Sequence, residues 1–91
     1  MSSLTATDPE CITVVLLDDD AMALTCLESF LTPPEDIQVL LATRCADQML
    51  ELLESSRVDV LITDIHMENI DGAQVAREAL RVSPETSVIL L

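Results

Sequence analysis

Four short apolar runs alternate with three helical patterns along this chain. The runs occupy residues 11–17, 37–42, 58–63 and 87–91. Continuous apolar runs of this length are typical of strands that are buried on both faces of a parallel sheet. Between the runs, apolar residues recur at spacings of three and four, which is typical of amphipathic helices. The order β-α-β-α-β-α-β therefore predicts an α/β fold, with a parallel sheet and right-handed crossovers.

The ends of the helices are also visible in the sequence. The stripe of the first helix comprises Ala23, Leu24, Leu27, Phe30 and Leu31. Asp20 is positioned to cap this helix, and Pro33-Pro34 to end it. Asp71 is expected to cap the third helix, with Gly72 as a turn glycine before it.

The chain is expected to form one domain. Its 91 residues are too few for two, and residues 1–10 are small, polar and acidic, as in a loose N-terminal tail. The domain is therefore predicted to occupy residues 11–91 and to end in the fourth strand.

The charge balance excludes several classes of function. Asp and Glu number 17 and Arg 4, with no Lys, so the formal net charge is −13. Such a balance argues against direct binding of nucleic acid, because phosphate binding needs clustered basic residues. The absence of Lys excludes a Walker-type or Schiff-base lysine, and a single Gly excludes a glycine-rich phosphate loop.

The cysteines do not form a recognisable motif. Cys11, Cys26 and Cys45 make no C-x-x-C pair, and the single histidine, His66, is near none of them. Zinc binding and a disulfide framework are therefore not expected, and free thiols predict a reducing cytoplasm. The sequence has no secretory signal pattern and no apolar run of 18 residues, so we expect no membrane association.

Acidic residues follow two of the predicted strands. Asp18 and Asp19 end the first strand and Asp64 ends the third. If those strands are neighbours, their carboxyl ends lie about 5 Å apart and the carboxylates converge. Converging like charges need neutralisation, and no Lys or nearby Arg is an obvious candidate, so a hard cation such as Mg²⁺ is expected. The alternative is that these residues are only helix caps or turn residues.

Two segments carry a family resemblance. VVLLDDDAMAL resembles the first strand and acidic pair of the response-regulator receiver domain, and VDVLITDIHMENIDG resembles its third strand, phosphoacceptor and following loop. Between them, ATRCADQMLELL is similar to the approach to the second helix and the helix itself. The resemblance covers residues 12–91 without insertions. It implies a flavodoxin-like sheet with strand order 2-1-3-4-5.

The resemblance also implies roles for individual residues. Asp64 would accept a phosphoryl group from a sensor histidine kinase or a phosphotransfer protein, with Mg²⁺ as cofactor. Asp19 would bind the metal directly, Asp18 through water, and His66 through its backbone carbonyl. A receiver of this kind promotes its own phosphorylation and dephosphorylation but is not a turnover enzyme.

The chain departs from the family pattern in three places. The family's fourth strand is followed by a Ser or Thr and a fifth strand by a Lys, whereas this sequence ends at Leu91. The resemblance therefore implies a fold that lacks the last strand and the last two helices. Glu68 stands where the family often has Pro, and either adds negative charge to the site or points to solvent. Cys45 stands where the family often has Gly.

Two other functions fit parts of the sequence. A phosphatase of the haloacid dehalogenase type would use Asp18 as nucleophile and Asp20 as acid–base, although such enzymes also need a Lys. A non-switching receiver fragment would act only by association, because an apolar fourth strand at the sheet edge invites pairing with another copy. DNA would be reached only through an output domain that this sequence does not show.

Overall fold

A computed structural model describes residues 11–32, 35–68 and 70–91. The tail predicted for residues 1–10 and the helix end predicted at Pro33-Pro34 lie outside the described residues. The elements are β1 (Ile12–Leu17), α1 (Ala21–Leu31), β2 (Ile37–Thr43), α2 (Ala46–Ser55), β3 (Val60–Thr63), β4 (His66–Met67), β5 (Ile70–Asp71), α3 (Gly72–Val82) and β6 (Ser87–Leu90).

Four of the strands form one parallel sheet in the order β2-β1-β3-β6. This arrangement confirms the predicted α/β class and the predicted order of the first four strands. Leu17 pairs with Thr43 on one side and with Thr63 on the other, so β1, β2 and β3 end level with one another. The residues that follow these three strands therefore meet at one edge of the sheet.

The core lies on both faces of the sheet because successive strand side chains point to opposite sides. On one face, Val15, Leu17 and Leu61 pack against α2 and α3. On the other face, Val14 and Leu16 pack against Leu24 of α1. The continuous apolar run of β1 is therefore explained by a strand that contacts helices on both sides.

The stripe predicted for α1 is wrong at Phe30. Leu24 is buried, but the side chain of Phe30 is 77% exposed. At 3.6 residues per turn, Phe30 lies about 120° around the helix axis from Leu24, beyond the face that meets the sheet. The predicted cap is confirmed, because the carboxylate of Asp20 accepts a hydrogen bond from the backbone N–H of Met22 at 2.9 Å.

The third strand begins at Val60 and not at Val58 as predicted. The backbone of Asp59 still bonds to both neighbouring strands, because its N–H donates to the carbonyl of Thr13 at 3.1 Å and its carbonyl accepts from the N–H of Ser87 at 2.9 Å. Its carboxylate also accepts hydrogen bonds from the backbone N–H and the hydroxyl of Thr13, at 2.9 and 3.1 Å. Val58 is nevertheless buried, and its carbonyl accepts a hydrogen bond from the hydroxyl of Thr86 at 2.8 Å. A polar side-chain network therefore closes this end of the sheet.

A two-stranded antiparallel hairpin lies between β3 and α3, where the sequence predicts only a loop. His66 pairs with Asp71 and Met67 with Ile70. Met67 is buried against the core beside α2 and α3, which holds the hairpin on the body of the domain.

In the described residues, none of the helices has the length and apolar character needed to span a bilayer.

Candidate functional site

Three of the predicted site carboxylates meet at the end of β1 and β3. Asp18 and Asp19 directly follow β1, and Asp64 directly follows β3. The backbone N–H of Asp64 donates to the carbonyl of Leu17 at 3.2 Å, which continues the ladder past the last strand residue. One carboxylate oxygen of each of the three residues lies within 4.8 Å of the others.

Each of the three carboxylates is held by a backbone N–H group. Asp18 Oδ1 accepts from Asp20 at 2.9 Å, and Asp64 Oδ1 accepts from His66 at 3.0 Å. Asp19 Oδ2 accepts from Glu68 at 2.9 Å. Within the described ranges, the second oxygen of each carboxylate makes no hydrogen bond, so three oxygens are oriented but available.

The electrostatics of the cluster favour a cation. Burial raises the pKa of Asp18 above its usual value, and the charges of Asp64, Asp19 and Asp20 raise it further. The hydrogen bond from the Asp20 N–H acts in the opposite direction. An ion bound beside these carboxylates would remove the repulsion that disfavours their charged form.

The donor set suits Mg²⁺ better than a softer metal. All three side chains offer hard carboxylate oxygens, and among the described residues no sulfur or imidazole joins the cluster. In an octahedral Mg²⁺ site with bonds of about 2.1 Å, oxygens on opposite sides of the ion lie about 4 Å apart. The three carboxylate oxygens are separated by at most 4.8 Å, so they can include direct ligands of the ion together with one that binds it through a water molecule.

Gly72 fixes the position of Asp64 by close packing and not by forming a turn. The expected role as a turn glycine before α3 is wrong, because Gly72 is the first residue of that helix. A Cβ atom on Gly72 would lie 2.5 Å from the Cα of Ile65 and 2.8 Å from the carbonyl oxygen of Asp64. The cap predicted at Asp71 is confirmed, because its Oδ1 accepts from the N–H groups of Ala73 and Gln74.

The remaining predicted site residues lie around the cluster. His66 is in β4 with an exposed side chain, and its backbone touches Asp64 through the N–H. The side chain of Glu68 is exposed, whereas its backbone N–H binds Asp19. The carboxylate of Asp20 caps α1 and does not belong to the cluster of Asp18, Asp19 and Asp64. The phosphatase alternative requires the carboxylates of Asp18 and Asp20 to act together, and this is not the group of carboxylates that the fold brings together.

Sequence reasoning missed one charged residue at the site. Arg44 follows β2, and its Nε donates to the backbone carbonyl of Asp19 at 3.1 Å. An open depression of about 570 Å³ is lined by residues that include Asp19, Asp20, Arg44, Asp64, His66 and Glu68. The expectation that no Arg lies near the carboxylates is therefore wrong. The signal was its position directly after the strand that neighbours β1.

Comparison with known proteins gives a consistent result. The family described as "Response regulator receiver domain" matches residues 14–91. The chain is 34% identical over 79 residues to a protein-glutamate methylesterase/protein-glutamine glutaminase of Desulfitobacterium hafniense, covering 87% of this chain and 20% of that protein. It is 29% identical over 80 residues to the response regulator GacA of Pseudomonas aeruginosa, covering 88% of this chain and 37% of that protein.

A solved structure shows the same fold. The signal receiver domain of an HD domain-containing protein from Pseudomonas fluorescens superimposes with a TM-score of 0.79 at 30% identity, covering 97% of this chain and 63% of that one. The chain thus spans about a fifth to two fifths of the length of the two curated relatives.

Proposed function

Because the chain belongs to the response regulator receiver domain family, we propose that Asp64 accepts a phosphoryl group from a phosphohistidine. The donor would be a sensor histidine kinase or a phosphotransfer protein. One observation carries the proposal: the carboxylate of Asp64 is held by the His66 N–H, and one of its oxygens lies within 4.8 Å of an oxygen of Asp18 and an oxygen of Asp19. A fixed carboxylate beside a cation site is the arrangement that in-line phosphoryl transfer needs.

Mg²⁺ is the proposed cofactor. Asp19 and Asp64 would bind it directly, the backbone carbonyl of His66 would complete the protein ligands, and Asp18 would act through a water molecule. When bound, the ion neutralises charge on the transferring phosphoryl group. The contribution of the chain is the orientation of its oxygens, which the N–H groups of Asp20, Glu68 and His66 fix before any ligand arrives.

The proposed transfer forms one bond and breaks one. A carboxylate oxygen of Asp64 attacks phosphorus, a new P–O bond forms, and the P–N bond of the donor histidine breaks. The imidazole leaves with the electron pair of that bond and takes up a proton. Hydrolysis restores the site when water attacks phosphorus and releases phosphate, so the domain is a timed phospho-acceptor and not a turnover enzyme.

The surroundings of the site suggest its partners. The charge of −13 disfavours direct contact with DNA, which would be reached only through an output domain. Cys11, Cys26 and Cys45 are free thiols, which supports a cytoplasmic location. The outer edge of β6 has no neighbouring strand in the described sheet, so pairing of two copies along that edge is a second mode of association.

Intact-mass spectrometry tests the proposed function. The chain is incubated with acetyl phosphate, with and without Mg²⁺, and the fraction that gains one phosphoryl group is measured. We expect labelling of the wild type that depends on Mg²⁺, and no labelling of Asp64→Asn. Asp36→Asn is the matched control, because Asp36 is exposed and precedes β2 at the opposite end of the sheet.

Two results would contradict the proposal. Labelling of Asp64→Asn to the wild-type level would place the phosphoryl group elsewhere. If the wild-type chain folds but gains no phosphoryl group, association with another copy would remain as its function. Gel filtration with multi-angle light scattering would then show a dimer.

A further inference from the structure

The rim of the acidic depression carries one positive side chain. Arg44 follows β2, two strands across the sheet from Asp64, and Asp19 lies just after β1, the strand between them. Two strand spacings amount to about 10 Å. The Nε of Arg44 donates to the carbonyl of Asp19 at 3.1 Å, so the guanidinium lies beside the residue that follows the intervening strand. The guanidinium is therefore closer to Asp64 than the separation of the two strands alone would place it.

The other three arginines are placed elsewhere. Arg57 lies 3.6 Å from Asp59, and Arg81 lies 3.0 Å from Glu78. Arg77 is exposed on α3 and does not line the depression. Within the described residues that line it, Arg44 is thus the single cationic side chain among four carboxylates.

The hydrogen bonding of Arg44 leaves its outer donors available. Its one hydrogen bond within the described ranges uses Nε, and it forms no ion pair there with any of the surrounding carboxylates. The two terminal NH₂ groups are therefore unused. Arginine presents these donors as a rigid planar fork that matches two oxygens of a phosphoryl group.

We propose that Arg44 binds the phosphoryl group on Asp64. This inference rests on the proposed function, because it needs a phosphoryl group at that position. The guanidinium would donate to the phosphoryl oxygens that face the side of the depression lined by Arg44. It would supply positive charge at this edge of the sheet in a chain that contains no Lys.

The proposal predicts opposite effects on two measurements. Arg44→Ala removes a charge-assisted hydrogen bond to the phosphoryl group, so the rate of phosphorylation falls about tenfold. The same substitution removes a positive charge beside the carboxylates, so the affinity for Mg²⁺ alone stays the same or rises about twofold. A residue that only maintained the structure of the site would lower both when replaced.

The experiment uses the wild type, Arg44→Ala, Arg44→Lys and the control Arg77→Ala. Initial rates with acetyl phosphate at saturating Mg²⁺ are measured by intact mass, and the Mg²⁺ dissociation constant is measured separately by titration calorimetry without a phosphodonor. We expect the Arg44→Ala rate to be about a tenth of the wild-type rate, Arg44→Lys to lie between them, and Arg77→Ala to match the wild type. Circular dichroism verifies that each variant is folded. If Arg44→Ala does not fold, the rate and the Mg²⁺ affinity of Arg44→Lys decide the test.

The outcomes separate this inference from the proposed function. If the wild type is labelled on Asp64 and Arg44→Ala is labelled at the same rate, the inference fails and the proposed function stands. Parallel losses of rate and Mg²⁺ affinity would also overturn it, because they indicate a structural role. If the wild type is not labelled, the proposed function fails and the inference fails with it.

Discussion

Replacing Gly72 with alanine should damage both the stability of the fold and the site. A Cβ atom there would lie 2.5 Å from the Cα of Ile65 and 2.8 Å from the carbonyl oxygens of Asp64 and Ile65, whereas ordinary contacts begin at 3.4 Å. All three atoms belong to the backbone that follows β3, so a change of side-chain rotamer does not relieve the clash. Either this segment or the start of α3 must shift by several tenths of an ångström.

The expected cost follows from two opposing contributions. Overpacking a tight site costs about 1–3 kcal/mol, and backbone atoms that cannot rotate away place this case near the upper end. Alanine reduces the freedom of the unfolded chain, which returns about 0.4–1 kcal/mol. We therefore expect Gly72→Ala to lower the free energy of unfolding by about 2 kcal/mol, a large fraction of the roughly 5–14 kcal/mol typical of this chain length.

Urea denaturation measures this change. The sequence has no Trp or Tyr, so unfolding is followed by far-ultraviolet circular dichroism and not by fluorescence. Gln74→Ala, at an exposed position in the same helical turn, is the control and should stay within about 0.5 kcal/mol of the wild type. Phosphorylation of Gly72→Ala should slow at least tenfold because Asp64 is displaced. Wild-type stability together with a wild-type rate would refute the close-packing argument.

Three further predictions concern the cation, pH and a helix cap. Mg²⁺ at about 100 times its dissociation constant should stabilise the chain by about 2.7 kcal/mol, and an unchanged Tm against NaCl of equal ionic strength would contradict the proposed metal site. The hydrogen bond from the Thr13 N–H lowers the pKa of Asp59 in the folded chain. The ionised carboxylate of Asp59 therefore stabilises the fold at pH values above its unfolded pKa of about 4. This stabilisation is lost as the pH falls through the lower pKa of the folded state. In urea titrations the advantage of the wild type over Asp59→Asn should shrink below about pH 4, and an advantage that grows on acidification would be inconsistent with this sign. Asp71→Ala should cost about 1 kcal/mol through loss of the α3 cap and Asp71→Ser much less, whereas equal losses for both would argue against capping.

The parts of the fold that the sequence predicts are those with a local physical signal. Apolar runs mark the four sheet strands, and the caps at Asp20 and Asp71 follow from their positions before helical stripes. The convergence of Asp18, Asp19 and Asp64 follows because parallel neighbours end at the same edge of the sheet.

The parts that it does not predict depend on contacts between distant residues. Strands of two residues, such as those of the β4–β5 hairpin, are too short to show a periodicity. The role of Gly72 depends on the approach of Ile65, and the contact made by Arg44 depends on its side chain reaching the carbonyl of Asp19. The exposure of Phe30 depends on how much of α1 the sheet covers.

Mapping the phosphorylated residue tests the proposed phospho-acceptor most directly. The acyl phosphate is reduced with borohydride to a stable alcohol, and the chain is cleaved after its arginines, which gives peptides 1–44, 45–57, 58–77, 78–81 and 82–91. Asp64 lies in peptide 58–77, whereas Asp18, Asp19 and Asp20 lie in peptide 1–44. We predict that only peptide 58–77 carries the reduced residue, at Asp64. Modification of peptide 1–44, or of neither peptide after incubation with acetyl phosphate and Mg²⁺, would contradict the assignment.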